Sequence, residues 1–94
     1  MRLGNRRIKN ELIKLGNWSL NGKVISRRFV FADFAGALRF VNRVGKLAEA
    51  ANHHPDITIT YDKVRLALTT HDEDGLTMKD FRLARQINKL ATRA

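Results

Sequence analysis

The sequence predicts an α+β fold: a four-stranded antiparallel sheet with three helices packed on one face, in the order α-β-β-α-β-β-α. Two observations carry that expectation. Apolar residues recur at helical spacing in three stretches, which alternate with two pairs of segments of period two. Each pair is joined by a few residues, too short for the crossover that parallel strands need. At 94 residues the chain reads as a single domain spanning 1–94, without internal repeats.

The first helix is expected from about Asn5 to Leu15, on the spacing of Ile8, Leu12 and Leu15. Gly16-Asn17 stops it, since both residues tolerate the left-handed conformation that ends helices. Trp18-Ser19-Leu20 opens a strand, and Asn21-Gly22 is a strong hairpin signal leading into Lys23 to Phe31. There Ile25, Phe29 and Phe31 share a face that Arg27 interrupts, which places Arg27 at an edge or a polar rim.

Asp33 is a fitting N-cap for the second helix. Its apolar stripe runs through Phe34, Ala37, Leu38, Val41, Val44, Leu47, Ala48 and Ala51. Pro55 disfavours helical geometry at His54, so the helix ends near Asn52 or His53. Ile57, Ile59 and Tyr61 alternate with polar residues as in a half-buried strand. Val64, Leu66 and Leu68 form the inner face of the next. Asp72 to Gly75 is a polar turn. Thr77-Met78-Lys79-Asp80 has the form of a capping box before a helix that buries Phe81, Ala84, Ile87 and Leu90 or Ala91.

Composition excludes several classes. With 44% apolar and 29% charged residues the chain is globular rather than disordered. The absence of cysteine removes disulfides, thiolate metal sites and cysteine nucleophiles. No apolar run follows the basic start, and no stretch has the length of a membrane span, so a cytoplasmic protein without membrane contact is expected. The net charge is +9, and no acidic residue follows Asp80. Such a balance favours polyanions. Without aromatics interleaved among the cations, however, it reads first as solvated helix faces rather than a nucleic-acid surface.

All three histidines lie between Glu49 and His71. His53 and His54 sit at a helix end, and His71 sits at a strand end. Glu49 is four residues from His53, on one face of the last helical turn. Imidazoles exchange protons near neutrality, so such a group can supply an acid and a base together. Two other readings stand beside that one: plain polar surface, and a metal site built with a carboxylate. Adjacent histidines rarely point at one ion, and Pro55 splays them further, so no metal is expected.

Glu49-x-x-Asn52-His53-His54-Pro55-Asp56, Tyr61-x-x-Val64-x-x-x-Leu68-x-Thr70-His71 and Gly75-Leu76-Thr77-x-x-Asp80-x-x-Leu83-Ala84 resemble the pterin-4a-carbinolamine dehydratase family. So do Leu12-x-x-Leu15-x-x-Trp18, Ile25-x-Arg27-x-Phe29-x-Phe31-x-Asp33-Phe34 and Ala37-x-x-Phe40 upstream, and nearly the whole chain is covered. The resemblance implies loss of water from a 4a-hydroxytetrahydropterin to give the quinonoid dihydropterin, without metal or organic cofactor. His53, His54 and His71 match the family's catalytic histidines. Asn52, Thr69 and Thr70 match positions that help form the pterin pocket. Glu49, Pro55 and Asp80 would support them, with Asp80 either capping the last helix or polarising an imidazole. The resemblance further implies a homodimer or homotetramer. An aromatic amino-acid hydroxylase would be served by the product, and a transcription factor could be a partner in a non-catalytic, interaction-module alternative. Asn52 stands where the family often has Asp, and Ile57 where many members have Trp.

Overall fold

The computed structural model describes residues 1–93; Ala94 and the side chain of Arg93 lie outside them. Its elements are α1 (Asn5–Leu15), β1 (Ser19–Asn21), β2 (Val24–Val30), α2 (Phe34–Ala51), β3 (Asp56–Thr60), β4 (Lys63–Leu68), a 3₁₀ turn at His71–Glu73, and α3 (Met78–Arg93). The strands form one antiparallel sheet in the order β1-β2-β4-β3. This is the α+β architecture the periodicity predicts.

Register explains the core. Phe29 faces Val64, which faces Ile59, and Ile25 faces Leu68. Directly opposed residues share a face, so Ile25, Phe29, Val64, Leu66 and Leu68 form one apolar surface. It packs with Phe40 and Val44 of α2 and with Phe81, Ala84 and Ile87 of α3. Burying each such large side chain contributes roughly 1.5–3 kcal/mol. The other face carries Arg28 opposite Arg65, both exposed.

Several local expectations need correction. The hairpin loop is Gly22-Lys23, because Asn21 still pairs with Val24. Only Gly22 takes positive φ there, as a turn with glycine at its first central position requires. β3 is an edge strand and mostly exposed, with Ile57 38% accessible, rather than half-buried. Tyr61 leaves the strand for a left-handed turn at φ 53° and is exposed. On α2 the buried stripe is Ala37, Phe40, Val44 and Ala48; Phe34, Leu38 and Ala51 face outward. Along that stripe α2 packs on α3 and on the sheet, where the Phe40 ring meets Phe29 of β2 at 4.8 Å between centroids. Leu83 joins the buried face of α3.

Arg27 does reach a polar group. β1 covers β2 only as far as Ser26, and from Arg27 onward that side of the strand is open. The guanidinium lies 4.4 Å from the Phe29 ring centroid and donates to Asn88 Oδ1 of α3 at 2.7 Å. Trp18 Nε1–H donates to the same oxygen at 2.7 Å.

α1 is held to α3 through Glu11, a buried carboxylate that the helical pattern does not mark. It accepts from Arg7 Nε at 3.0 Å and from the Arg85 guanidinium, with Lys14 3.7 Å away. The hydrogen bond from Arg7, with the charges of Lys14 and Arg85, holds this carboxyl below the usual carboxylate range against the opposing effect of burial. Ahead of α1, Leu3 N–H donates to the Leu76 carbonyl at 2.7 Å and Arg2 donates to the Asp74 carbonyl at 3.1 Å. The stem of Arg2 lies over Gly75, where a Cβ would come within 3.1 Å of it. The first residues thus strap the loop after His71.

Candidate active site

The site forms where α2 ends beside the start of α3. Asn52 closes α2 in the left-handed conformation, φ 50° and ψ 43°. His53 N–H then bonds back to the Ala48 carbonyl at 3.1 Å, a six-residue closure typical of helix ends. The reversal at Asn52 and the restraint from Pro55 send the adjacent imidazoles in different directions.

His53 turns inward. Its side chain is 11% exposed, and its Nε2 lies 2.6 Å from Asp80 Oδ1. Asp80 is fully buried. Its other oxygen accepts the Thr77 N–H at 2.9 Å and the Thr70 hydroxyl at 2.8 Å. The Thr77 hydroxyl reaches Thr70 Oγ1 at 2.9 Å and accepts from the Lys79 N–H at 3.2 Å. Asp80 therefore makes both contacts that the sequence offered as alternatives, one to the start of α3 and one to an imidazole. A carboxylate only accepts, so it fixes the His53 proton on Nε2 and leaves Nδ1 for other work.

His54 turns outward and pairs through Nε2 with Glu49; both side chains are exposed. The four-residue spacing suggested His53 as the partner of Glu49. The left-handed residue at Asn52 breaks that helical alignment and gives the position to His54. Across from this wall, Thr69, Thr70 and His71 follow β4. Thr69 donates to the Lys23 carbonyl at 2.6 Å, and His71 opens the 3₁₀ turn.

The two walls enclose a cleft of about 300 Å³, at the small end of ligand sites. Asn52, His53, His54, Thr69, Thr70 and His71 all line it, with Asp72 and Lys79 beside them. Pro55 does not; it acts through the chain path. Lys79 as a wall residue escaped sequence reasoning, because a lysine between two capping residues carries no signal. Two hollows of about 360 Å³ lie elsewhere, one against Phe31, Arg39 and Arg43 and one under Arg2 and Leu76. Neither is lined by an imidazole, whereas the smaller cleft gathers all three, which makes it the better candidate.

Fold and cleft define the class first: a small α+β protein with imidazoles on opposing walls of a ligand-sized cleft. Comparison then gives the family. The family model described as pterin 4 alpha carbinolamine dehydratase matches residues 1–90, and the chain belongs to that family. A Chloroflexus aurantiacus (strain ATCC 29366) protein, provisionally named pterin-4-alpha-carbinolamine dehydratase, is 52% identical over 89 residues, 95% of this chain and 96% of its own. A Sulfurisphaera tokodaii protein of the same provisional name is 46% identical over 91 residues, covering 97% and 98%. The crystal structure of a transcriptional coactivator/pterin dehydratase from Brucella melitensis superposes with TM-score 0.92 at 34% identity, over 97% of this chain and 99% of that one. A pterin dehydratase-like protein identified as a RuBisCO assembly factor shares the fold, with TM-score 0.69 at 23% identity, over 80% of this chain and 89% of that one. No described helix is long and apolar enough to cross a membrane.

Proposed function

We propose that the protein is a hydro-lyase that dehydrates 4a-hydroxytetrahydropterins to quinonoid dihydropterins, with His53 as principal acid–base group. One observation carries the proposal: a nearly buried imidazole, oriented by a fully buried carboxylate, faces a cleft walled by two further imidazoles. In the reaction a proton goes to the 4a-hydroxyl, the C–O bond breaks and water leaves. A ring N–H gives its proton to a base as the C=N bond forms. His53 Nδ1 acts as one proton carrier, with His54 and His71 completing transfer and holding the heterocycle. Asn52, Thr69 and Thr70 shape the pocket; no metal or organic cofactor enters. The product would return to the pterin pool of aromatic amino-acid hydroxylases. Stopped-flow dehydration of a synthetic 4a-hydroxypterin tests this. His53→Ala should lower the rate about 10²- to 10⁴-fold with the fold intact. Wild-type turnover equal to the uncatalysed rate would end the proposal.

Assembly follows the same reasoning. The open side of β2 beyond Ser26 and the exposed β3 edge favour sheet addition by a second copy. We expect a homodimer or homotetramer, read by light scattering. A second reading, a protein-interaction module, draws on the outward Phe34 and Leu38 of α2 and on the coactivator description of the Brucella protein. A pull-down that recovers no partner and loses nothing in Leu38→Glu counts against it.

A further inference from the structure

The dehydration step uses the imidazoles and leaves Lys79 without a task. This lysine also borders a second hollow, a groove of about 170 Å³ between the end of α2 and the outer side of α3. His53 and Lys79 line both spaces, so the groove adjoins the cleft along these two side chains. Beyond them it presents Arg82, Leu83 and Gln86. Arg82 is three residues after Lys79, so the two cations are neighbours on one helical face. Among the described residues, no carboxylate lies within 4.0 Å of either one. Lys79 is also the second residue of α3, where the helix dipole disfavours a cation. Helix stability therefore gives no reason for its charge. Asp72 lines the cleft but not the groove, so a negative group leaving the cleft is repelled on one side and attracted on the other.

We propose that this groove is a subsite for the pterin side chain, and that the cleft favours pterins whose side chain carries a carboxylate or phosphate. The ring occupies the histidine cleft, and the anion lies between the Lys79 ammonium and the Arg82 guanidinium, both of which pair readily with such groups. The inference rests on the dehydratase reading of the cleft and assigns its substrate class.

The test uses three unreactive 7,8-dihydropterins: one with a neutral dihydroxypropyl side chain, one with its phosphate ester, and one with a carboxylate-terminated chain. Binding is measured by fluorescence titration at low and high salt. The anionic ligands should bind about five- to tenfold more tightly than the neutral one at low ionic strength, with the advantage mostly lost at about 0.5 M salt. A preference for only the phosphate or only the carboxylate identifies the source of the anion and supports the subsite. Arg82→Gln should shrink the ratio of anionic to neutral affinity, and Arg82→Glu should invert it. Equal affinity for the three ligands in the wild type, or a ratio untouched in both Arg82 variants, would overturn the subsite. Turnover of the matching 4a-hydroxypterins is read separately. Its absence removes the dehydratase reading, while the binding ratios still decide the subsite.

Discussion

Replacing Asp80 with asparagine isolates what its carboxylate does, because size and shape are kept and charge is removed. Asp80 is fully buried and makes three hydrogen bonds, to His53, Thr70 and Thr77. In Asp80→Asn the amide oxygen can still accept from Thr77 N–H and Thr70. Its NH₂ then faces His53 Nε2, which must become an acceptor, and the imidazole proton moves to Nδ1. The nitrogen left for proton abstraction is thereby blocked. We expect a loss of about 10²- to 10⁴-fold in the dehydration rate. Weakening one charge-assisted contact in a dry site should also destabilise the fold by about 1–3 kcal/mol. For a domain of this size each kcal/mol lowers Tm by about 4–8 °C. Stopped-flow kinetics, melting by circular dichroism and ¹⁵N detection of the imidazole tautomer provide the three readouts. Thr77→Ala is the control: it disturbs the helix start without removing the carboxylate, so it should lower Tm far more than the rate. A folded Asp80→Asn protein with near wild-type turnover and its proton still on Nε2 would refute the reasoning.

Glu11→Gln should lower stability by about 1–2 kcal/mol through loss of its charge-assisted bonds, measured by urea titration. The Glu11 carboxyl is held low in the folded state, so its contribution is complete above the ordinary value near 4.5 and fades as pH falls through the lower folded-state value. Tm of the wild type should therefore lose this part only in acid, and Glu11→Gln should lack that limb. At Asn52, Ala should cost about 1 kcal/mol because φ is 50°. Gly should cost far less, so lost activity in a stable Asn52→Gly protein would report the amide's contact with substrate. Glu49→Gln should change stability by under about 0.5 kcal/mol and turnover by less than about threefold, since its pair with His54 is exposed.

Local signals were legible wherever the physics is local. Ile8, Leu12, Leu15 and the Gly16-Asn17 stop place α1 at the observed bounds. Asp33 caps α2 through the Gly36 N–H at 2.8 Å, as its type and position imply. The six cleft residues converge because each lies at the end of a regular element, where spacing and Pro55 already fix the chain path. What escaped depends on distant partners. Glu11 looks like surface until Arg85 arrives from α3. The exposure of β3 follows from strand order, which alternation does not encode. The double use of Asp80 needs Thr70 and His53 brought together by the fold. The motif around Thr77 marked the capping contact, while the contact with an imidazole was offered only as its alternative.

The strap formed by the first residues has a practical consequence. Arg2 and Leu3 hold the loop from Asp74 to Leu76, which continues directly from His71. A fusion tag or bulky label at the amino end would therefore pull on one wall of the cleft. α3 begins beside the site and extends about 22 Å from it at 1.5 Å per residue. Its far end is thus the safer place for an affinity handle or surface attachment. A small environment-sensitive dye at the amino end would serve another purpose, reporting from outside the cleft when the His71 loop loosens or a ligand tightens it.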